Sequence, residues 1–203
     1  MQLYSFASLK QAAVCTIAFV LPAFAQAQIG SGWSTDGGSH SLQKVGDVTY
    51  SNSNGVELFR LNASDSSRCE IKINNSYSSG SHQFQGEVKV TGTPRSSGNS
   101  IQQILESTSG QGDISQVRWY SSSNGTFKVN GVTLGTGVYG VYQRINCIHY
   151  RSTGKIELWY NGSKKETHDD FGAGTYYFKY GIYIAGSTGK PTSEWRNIRV
   201  WKK

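Results

Sequence analysis

Three short stretches carry polar side chains whose types and spacing could do chemistry. The first is Tyr176-Tyr177-Phe178-Lys179-Tyr180-Gly181-Ile182-Tyr183. Alternate side chains of a strand share a face, so Tyr177, Lys179, Gly181 and Tyr183 point one way and Phe178, Tyr180 and Ile182 the other, toward a packed interior. Lys179 and the Tyr183 phenol then flank a glycine gap that leaves room for a ligand. The second stretch, Arg68-Cys69-Glu70-Ile71-Lys72-Ile73, alternates cleanly, with Arg68, Glu70 and Lys72 on one face and Cys69, Ile71 and Ile73 on the other. In the third, Ile101-Gln102-Gln103-Ile104-Leu105-Glu106, Gln103 and Leu105 share a side. A solvated outer face, or a tyrosine-rich edge of a sandwich, would show the same alternation, because aromatic residues are common in strands.

The elements that must position these residues read as all-β. Gly, Ser, Asn and Thr are plentiful, and no long window repeats at helical spacing. Strands are predicted at Val56–Leu61, Arg68–Ile73, Phe84–Thr91, Ile101–Glu106, Gln116–Tyr120 and Thr126–Val129, and again at Gln143–Tyr150, Lys155–Tyr160, Tyr176–Ile184 and Glu194–Trp201. Between them lie turn signals such as Ser123-Asn124-Gly125, Asn130-Gly131 and Asn161-Gly162. The Asn-Gly pairs suit tight hairpins, where positive φ is needed. About ten strands at this rhythm indicate a sandwich or jelly roll. Ser31–Ser41 reads as a polar lead-in.

Residues 1–28 read as a targeting segment. Lys10 is its only charge, the apolar run Ala12–Phe24 is too short for a comfortable membrane span, and small residues offer cleavage after Ala25 or Ala27. A secreted, extracellular product follows, with residues 29–203 as one domain, enough to bury a core. Losing Lys10 takes the 20 basic residues to 19 against 13 acidic ones, a net charge of +6 that favours polyanions. Two cysteines remain, Cys69 and Cys147. In an oxidising compartment they are predicted to form a disulfide between strands, the alternative being two buried thiols. The histidines His40, His82, His149 and His168 are scattered, with no CxxC or HExxH, so neither a metal nor a cofactor is expected.

With these residues in view, the chain resembles the alginate lyases of polysaccharide lyase family 7 and the related glucuronan-lyase-like proteins. Their Arg-x-Glu-(Leu/Val)-Arg strand is matched by Arg68-Cys69-Glu70-Ile71-Lys72, with lysine ending it. Their Gln-(Ile/Val)-His strand is matched by Gln103-Ile104-Leu105, where leucine takes the histidine position. Their Tyr-Phe-Lys-Ala-Gly-x-Tyr-x-Gln strand is matched by Tyr177 through Ala185, with Tyr180 for alanine and Ala185 for glutamine. The resemblance implies a β-jelly roll with an open concave groove, and β-elimination at a uronic acid. By that resemblance Arg68 and Gln103 stabilise the enolate-like charge that develops when the C5 proton leaves. Lys72, Lys179, Glu70 and Tyr177 hold the substrate, with Glu70 orienting the cations. Tyr183 takes the C5 proton and returns one to the glycosidic oxygen, which requires nearby cations to ease its ionisation.

The resemblance implies an anionic polysaccharide as partner; the leader argues against nucleic acid, no later stretch is apolar enough to span a membrane, and a monomer is expected. Leu105 removes the family's second base. In mannuronate and glucuronate the C5 proton and the leaving oxygen lie on one side, where a single tyrosine serves both; in guluronate they do not. Endo cleavage of mannuronan or glucuronan is therefore expected, with little action on polyguluronate. Three other readings stand beside this one. The first is a non-catalytic module that binds acidic polysaccharide. The second is a glycoside hydrolase, which needs paired carboxylates that Glu57, Glu87 and Glu157 do not form by motif. In the third, His40 or His82 serves as a substitute base.

Overall fold

The computed structural model describes residues 28–62, 67–108, 112–183 and 189–203. Residues 1–27 of the leader reading, the predicted strand end at Ile184 and the departure at Ala185 lie outside the described residues. The described chain forms strands and turns, arranged as two antiparallel sheets. One sheet runs β13 (Ser163–Asp169), β12 (Lys155–Tyr160), β11 (Gln143–Tyr150), β6 (Ser81–Thr91), β15 (Thr192–Lys202), β4 (Val56–Leu61) and β3 (Val48–Ser53). A two-residue β1 (Ser34–Thr35) pairs with the far end of β15. The other sheet runs β10 (Val132–Thr136), β9 (Thr126–Val129), β8 (Gly112–Tyr120), β7 (Asn99–Glu106), β14 (Tyr176–Tyr183), β5 (Arg68–Ile73) and β2 (His40–Val45). This is the expected jelly-roll sandwich. The Asn-Gly hairpins form as read: Asn130 and Gly131 have φ of 47° and 82° between β9 and β10, and Asn161 and Gly162 have 48° and 83° between β12 and β13.

Alternation along the strands decides what lies between the sheets. Phe178, Tyr180 and Ile182 of β14 are buried in the core with Phe59, Phe84 and Trp195 from the facing sheet. Ring centroids of Phe84 and Tyr180 stand 5.8 Å apart, and those of Tyr180 and Trp195 5.5 Å apart. A buried phenol needs a partner. Tyr180 donates to the Glu57 carboxylate at 2.6 Å, and Tyr50 donates to the same group at 2.8 Å. The tyrosine that stands where the lyases have alanine is thus a core side chain with a satisfied hydroxyl.

The predicted disulfide does not form. Cys69 and Cys147 are free and fully buried. Cys69, on β5, lies over the β3–β4 side of the other sheet, where its thiol approaches the Thr49 carbonyl at 3.6 Å. Cys147 is on β11, three strands from β4 in that sheet. At ~4.8 Å per strand that separates them by about 14 Å, beyond the ~7 Å Cα limit for a bridge. The polar lead-in is also corrected: it contains β1 and the start of β2.

Candidate functional site

Register across the seven-stranded sheet sets the site. One lateral row runs Lys128 (β9), Arg118 (β8), Ser100 (β7), Tyr183 (β14), Arg68 (β5) and Val45 (β2), each directly opposite the next. A second row runs Gln116, Gln103, Lys179, Lys72 and Ser41 over the same strands from β8 to β2. A third places Asp113, Leu105 and Tyr177 side by side. The outward-facing positions of the three sequence stretches therefore converge on one sheet face, with Arg68, Glu70, Lys72, Gln103, Tyr177, Lys179 and Tyr183 together.

Their contacts are specific. The Arg68 guanidinium carbon lies 5.6 Å from the Tyr183 ring centroid, and the Lys72 ammonium 4.2 Å from that of Tyr177. Glu70 is the hub beneath them. It accepts a hydrogen bond from the Gln103 amide nitrogen, and the Lys179 ammonium stands 3.6 Å from its other oxygen. Gln103, Glu70 and Lys179 are 1%, 2% and 3% exposed, so they form the floor, while Arg68, Lys72, Tyr177 and Tyr183 are the half-buried groups above it. Burial raises the Glu70 carboxyl to about 7, against the pull of Lys179 and Arg68. Burial also lowers Lys179, which Glu70 partly offsets. The two are a mutually compensating pair in a dry site.

Gly181 has a different role from the one its place in the strand suggested. A Cβ there would meet the Cys69 carbonyl oxygen at 2.5 Å and the Glu70 Cα at 2.7 Å, with φ at +135°. The space between Lys179 and Tyr183 is filled by the β5 backbone, not open to a ligand. Glycine lets β14 press onto β5 and seats Arg68 beside Tyr183.

Beyond Gln103 the same face carries groups that the strand alternation left unassigned. The Gln116 amide nitrogen donates to Asp113, and the Arg118 Nε donates to the Gln116 oxygen at 2.8 Å. Burial raises the Asp113 carboxyl, the neighbour of Leu105. Arg118 and Lys128 line a cleft of about 680 Å³ with Tyr120, Asn130 and Phe171. Gln116, Arg118 and Tyr120 alternate within a stretch read as a strand, which was the signal available. Pairing with Lys128 needed the register.

Other candidates fall away from this face. Glu57, Glu87 and Glu157 all belong to the eight-stranded sheet, and Glu87 and Glu157 are held by Arg196 at 2.7 Å and Lys164 at 3.1 Å. His82 is in that sheet too, stacked on Tyr77 with centroids 3.8 Å apart. His40 packs edge-on to the core ring of Tyr180 at 6.2 Å. Among the described residues no His, Cys, Asp and Glu group could hold a metal ion, and no helix is long and apolar enough to cross a membrane.

Comparison with known proteins separates fold from family. No family model matches the chain. A marine family 7 alginate lyase from Zobellia galactanivorans superposes with a TM-score of 0.63, at 16% identity, covering 84% of this chain and 95% of that one. An alginate lyase from Pseudomonas aeruginosa gives 0.63 at 18% identity, covering 76% and 86%. A third family 7 alginate lyase gives 0.61 at 21% identity, covering 77% and 82%. In sequence, the citrate-binding protein of Hevea brasiliensis is 33% identical over 166 residues, 75% of this chain and 67% of that protein. The chain thus has the jelly-roll fold of the family 7 polysaccharide lyases, and it belongs to the family of the Hevea brasiliensis citrate-binding protein.

Proposed function

We propose that this protein is a secreted, monomeric polysaccharide lyase that cleaves 1,4-linked polyuronates by β-elimination, with residues 29–203 as its one domain. The observation that carries the reading is the register pair Tyr183–Arg68, a phenol beside a guanidinium on the exposed face of a lyase-like sheet. Arg68 meets the uronate carboxylate, and Gln103 and Lys179, held on Glu70, add positive character beneath it. That neutralisation makes the C5 proton removable, because the electron pair it leaves spreads onto the carboxyl group as an enolate. Tyr183 as phenolate takes the proton. The C4–O bond then breaks, a C4–C5 double bond forms, and the phenol proton goes to the departing glycosidic oxygen. Tyr177 and Lys72 hold the neighbouring sugar.

Leu105 supports a preference for mannuronan or glucuronan, since no histidine stands on the far side of the ring. The balance tips slightly to glucuronan because Ala185 also departs from the alginate pattern. The leader-like composition of residues 1–28 supports an extracellular site of action, and N-terminal sequencing of the secreted protein should begin at Gln26 or Gln28.

The test is incubation with polymannuronate, glucuronan and polyguluronate at equal concentration, following the ultraviolet absorbance of 4,5-unsaturated uronates. Rapid cleavage of either of the first two is expected; preferential cleavage of polyguluronate would contradict the assignment. A second reading, a carboxylate-binding module without turnover, is favoured by Leu105 together with the citrate-binding relative. Saturable binding with no unsaturated product from any polymer would establish it instead.

A further inference from the structure

Arg118 and Lys128 sit directly opposite each other on β8 and β9. Like charges in that position repel and destabilise the sheet. Among the described residues neither forms an ion pair with a carboxylate, and the nearest acid, Asp113, feels Arg118 only at longer range. Arg118 donates to Gln116, and its remaining contact is the Ser97 carbonyl at 3.4 Å; Lys128 stands 5.5 Å from the Tyr120 ring centroid. The two acids lining the same cleft are engaged elsewhere, Asp113 by Gln116 and Asp169 by Lys155 at 2.5 Å. A concave site with two cations that no carboxylate bridges and an aromatic face suits an anion with a sugar-like ring.

Its position in the row says which anion. Tyr183 is two strands from Arg118 and three from Lys128. At ~4.8 Å per strand these cations lie about 10 and 14 Å along the row, and one strand spacing is close to the advance of one pyranose in a 1,4-linked chain. A polymer laid across the strands with its reacting uronate at Tyr183 brings later carboxylates to this pair.

Resting on the lyase reading of the groove, we propose that Arg118 and Lys128 form a distal subsite. It holds the carboxylate of a uronate two to three sugars from the cleaved bond. Phe171, exposed in the cleft lining, adds an apolar surface beside it. The subsite makes affinity depend on chain length, with hexauronates held and disaccharides too short to reach.

The experiment compares wild type with the double variant Arg118→Gln/Lys128→Gln, on hexauronate and on a uronate disaccharide. Two charge-assisted contacts are lost, so KM for the hexauronate should rise roughly 10-fold or more, with kcat nearly unchanged. Calorimetric binding is measured in parallel in a Tyr183→Phe background, where no turnover intrudes. Hexauronate affinity should fall by a similar factor while disaccharide affinity stays constant. An unchanged hexauronate affinity overturns the proposal, and so does an equal loss for both ligands, which would mark a general charge effect. Wild-type protein that cleaves nothing, yet loses hexauronate affinity in the double variant, keeps the subsite and removes the lyase reading.

Discussion

Replacing Gly181 by alanine should cost more stability than a single methyl group suggests. The new Cβ meets main-chain atoms of β5, at 2.5 Å from the Cys69 oxygen and 2.7 Å from the Glu70 Cα, with the Phe59 ring at 3.2 Å. Main chain in a sheet centre cannot swing aside as a surface side chain can. Overpacking of this kind costs about 1–3 kcal/mol. The φ of +135° is a glycine conformation, and holding alanine there adds another ~1–3 kcal/mol. The total, roughly 2–6 kcal/mol, is a large part of the ~5–15 kcal/mol that holds a typical domain together. At ~2–4 °C per kcal/mol for a domain of this size, a 4 kcal/mol loss lowers Tm by about 8–16 °C. Urea titration followed by tryptophan fluorescence, with five tryptophans in the chain, measures it directly. The midpoint should drop with the slope unchanged. A loss under about 1 kcal/mol would refute the claim that β14 is pressed onto β5 here.

Four further outcomes are expected. His149, fully buried between the Tyr77 hydroxyl at 3.0 Å and Asp170 at 2.8 Å, is driven down to about 4 by burial, so its imidazole should titrate near pH 4 by NMR. A histidine pKa lowered on folding stabilises the protein above its unfolded value of ~6.5. That contribution should fade as pH drops from ~6.5 toward 4, by about 3 kcal/mol, and a normal titration midpoint would contradict it. Glu70 works the other way: raised to about 7, it favours the folded state below ~4.5 and loses that advantage as pH rises to 7, so Glu70→Gln should flatten this part of the stability profile. Both cysteines should react with a thiol reagent only after denaturation, and reductant should leave Tm unchanged; a reductant-sensitive Tm would mean a bridge. Leu105→His should raise the rate on polyguluronate relative to polymannuronate, and an unchanged ratio would separate that position from sugar choice.

Where apolar alternation meets a turn signal, the strands were legible to the residue: β4, β5, β9, β11 and β12 have the predicted ends. The missed strands are the outer ones. In β13, Ser163-Lys164-Lys165-Glu166-Thr167-His168-Asp169, every position is exposed or half-buried, and β3 is similar. Edge strands with so little buried surface carry a weak apolar period, only Val48 and Tyr50 in β3, although Asn130-Gly131 and Asn161-Gly162 announced that a strand must follow β9 and β12. Within the site, the faces of β5, β7 and β14 were legible because alternation fixes them. Arg118 and Lys128 were not, because lateral neighbours come from register between strands, which no local pattern encodes. Gly181 was misread for the same reason: its space belongs to the adjoining strand. The cysteines failed as a pair because separate β segments can lie in different sheets and several strands apart.

The central claim is that Tyr183 carries the proton in a β-elimination. Its most direct test is the release of 4,5-unsaturated uronate by wild type and by Tyr183→Phe from the same polymer. Calorimetric affinity for that polymer is measured on both proteins. The phenylalanine keeps the ring beside Arg68 and loses only the hydroxyl, so product should form with wild type and vanish with the variant while affinity stays within a few-fold. Turnover by Tyr183→Phe at the wild-type rate would contradict the account.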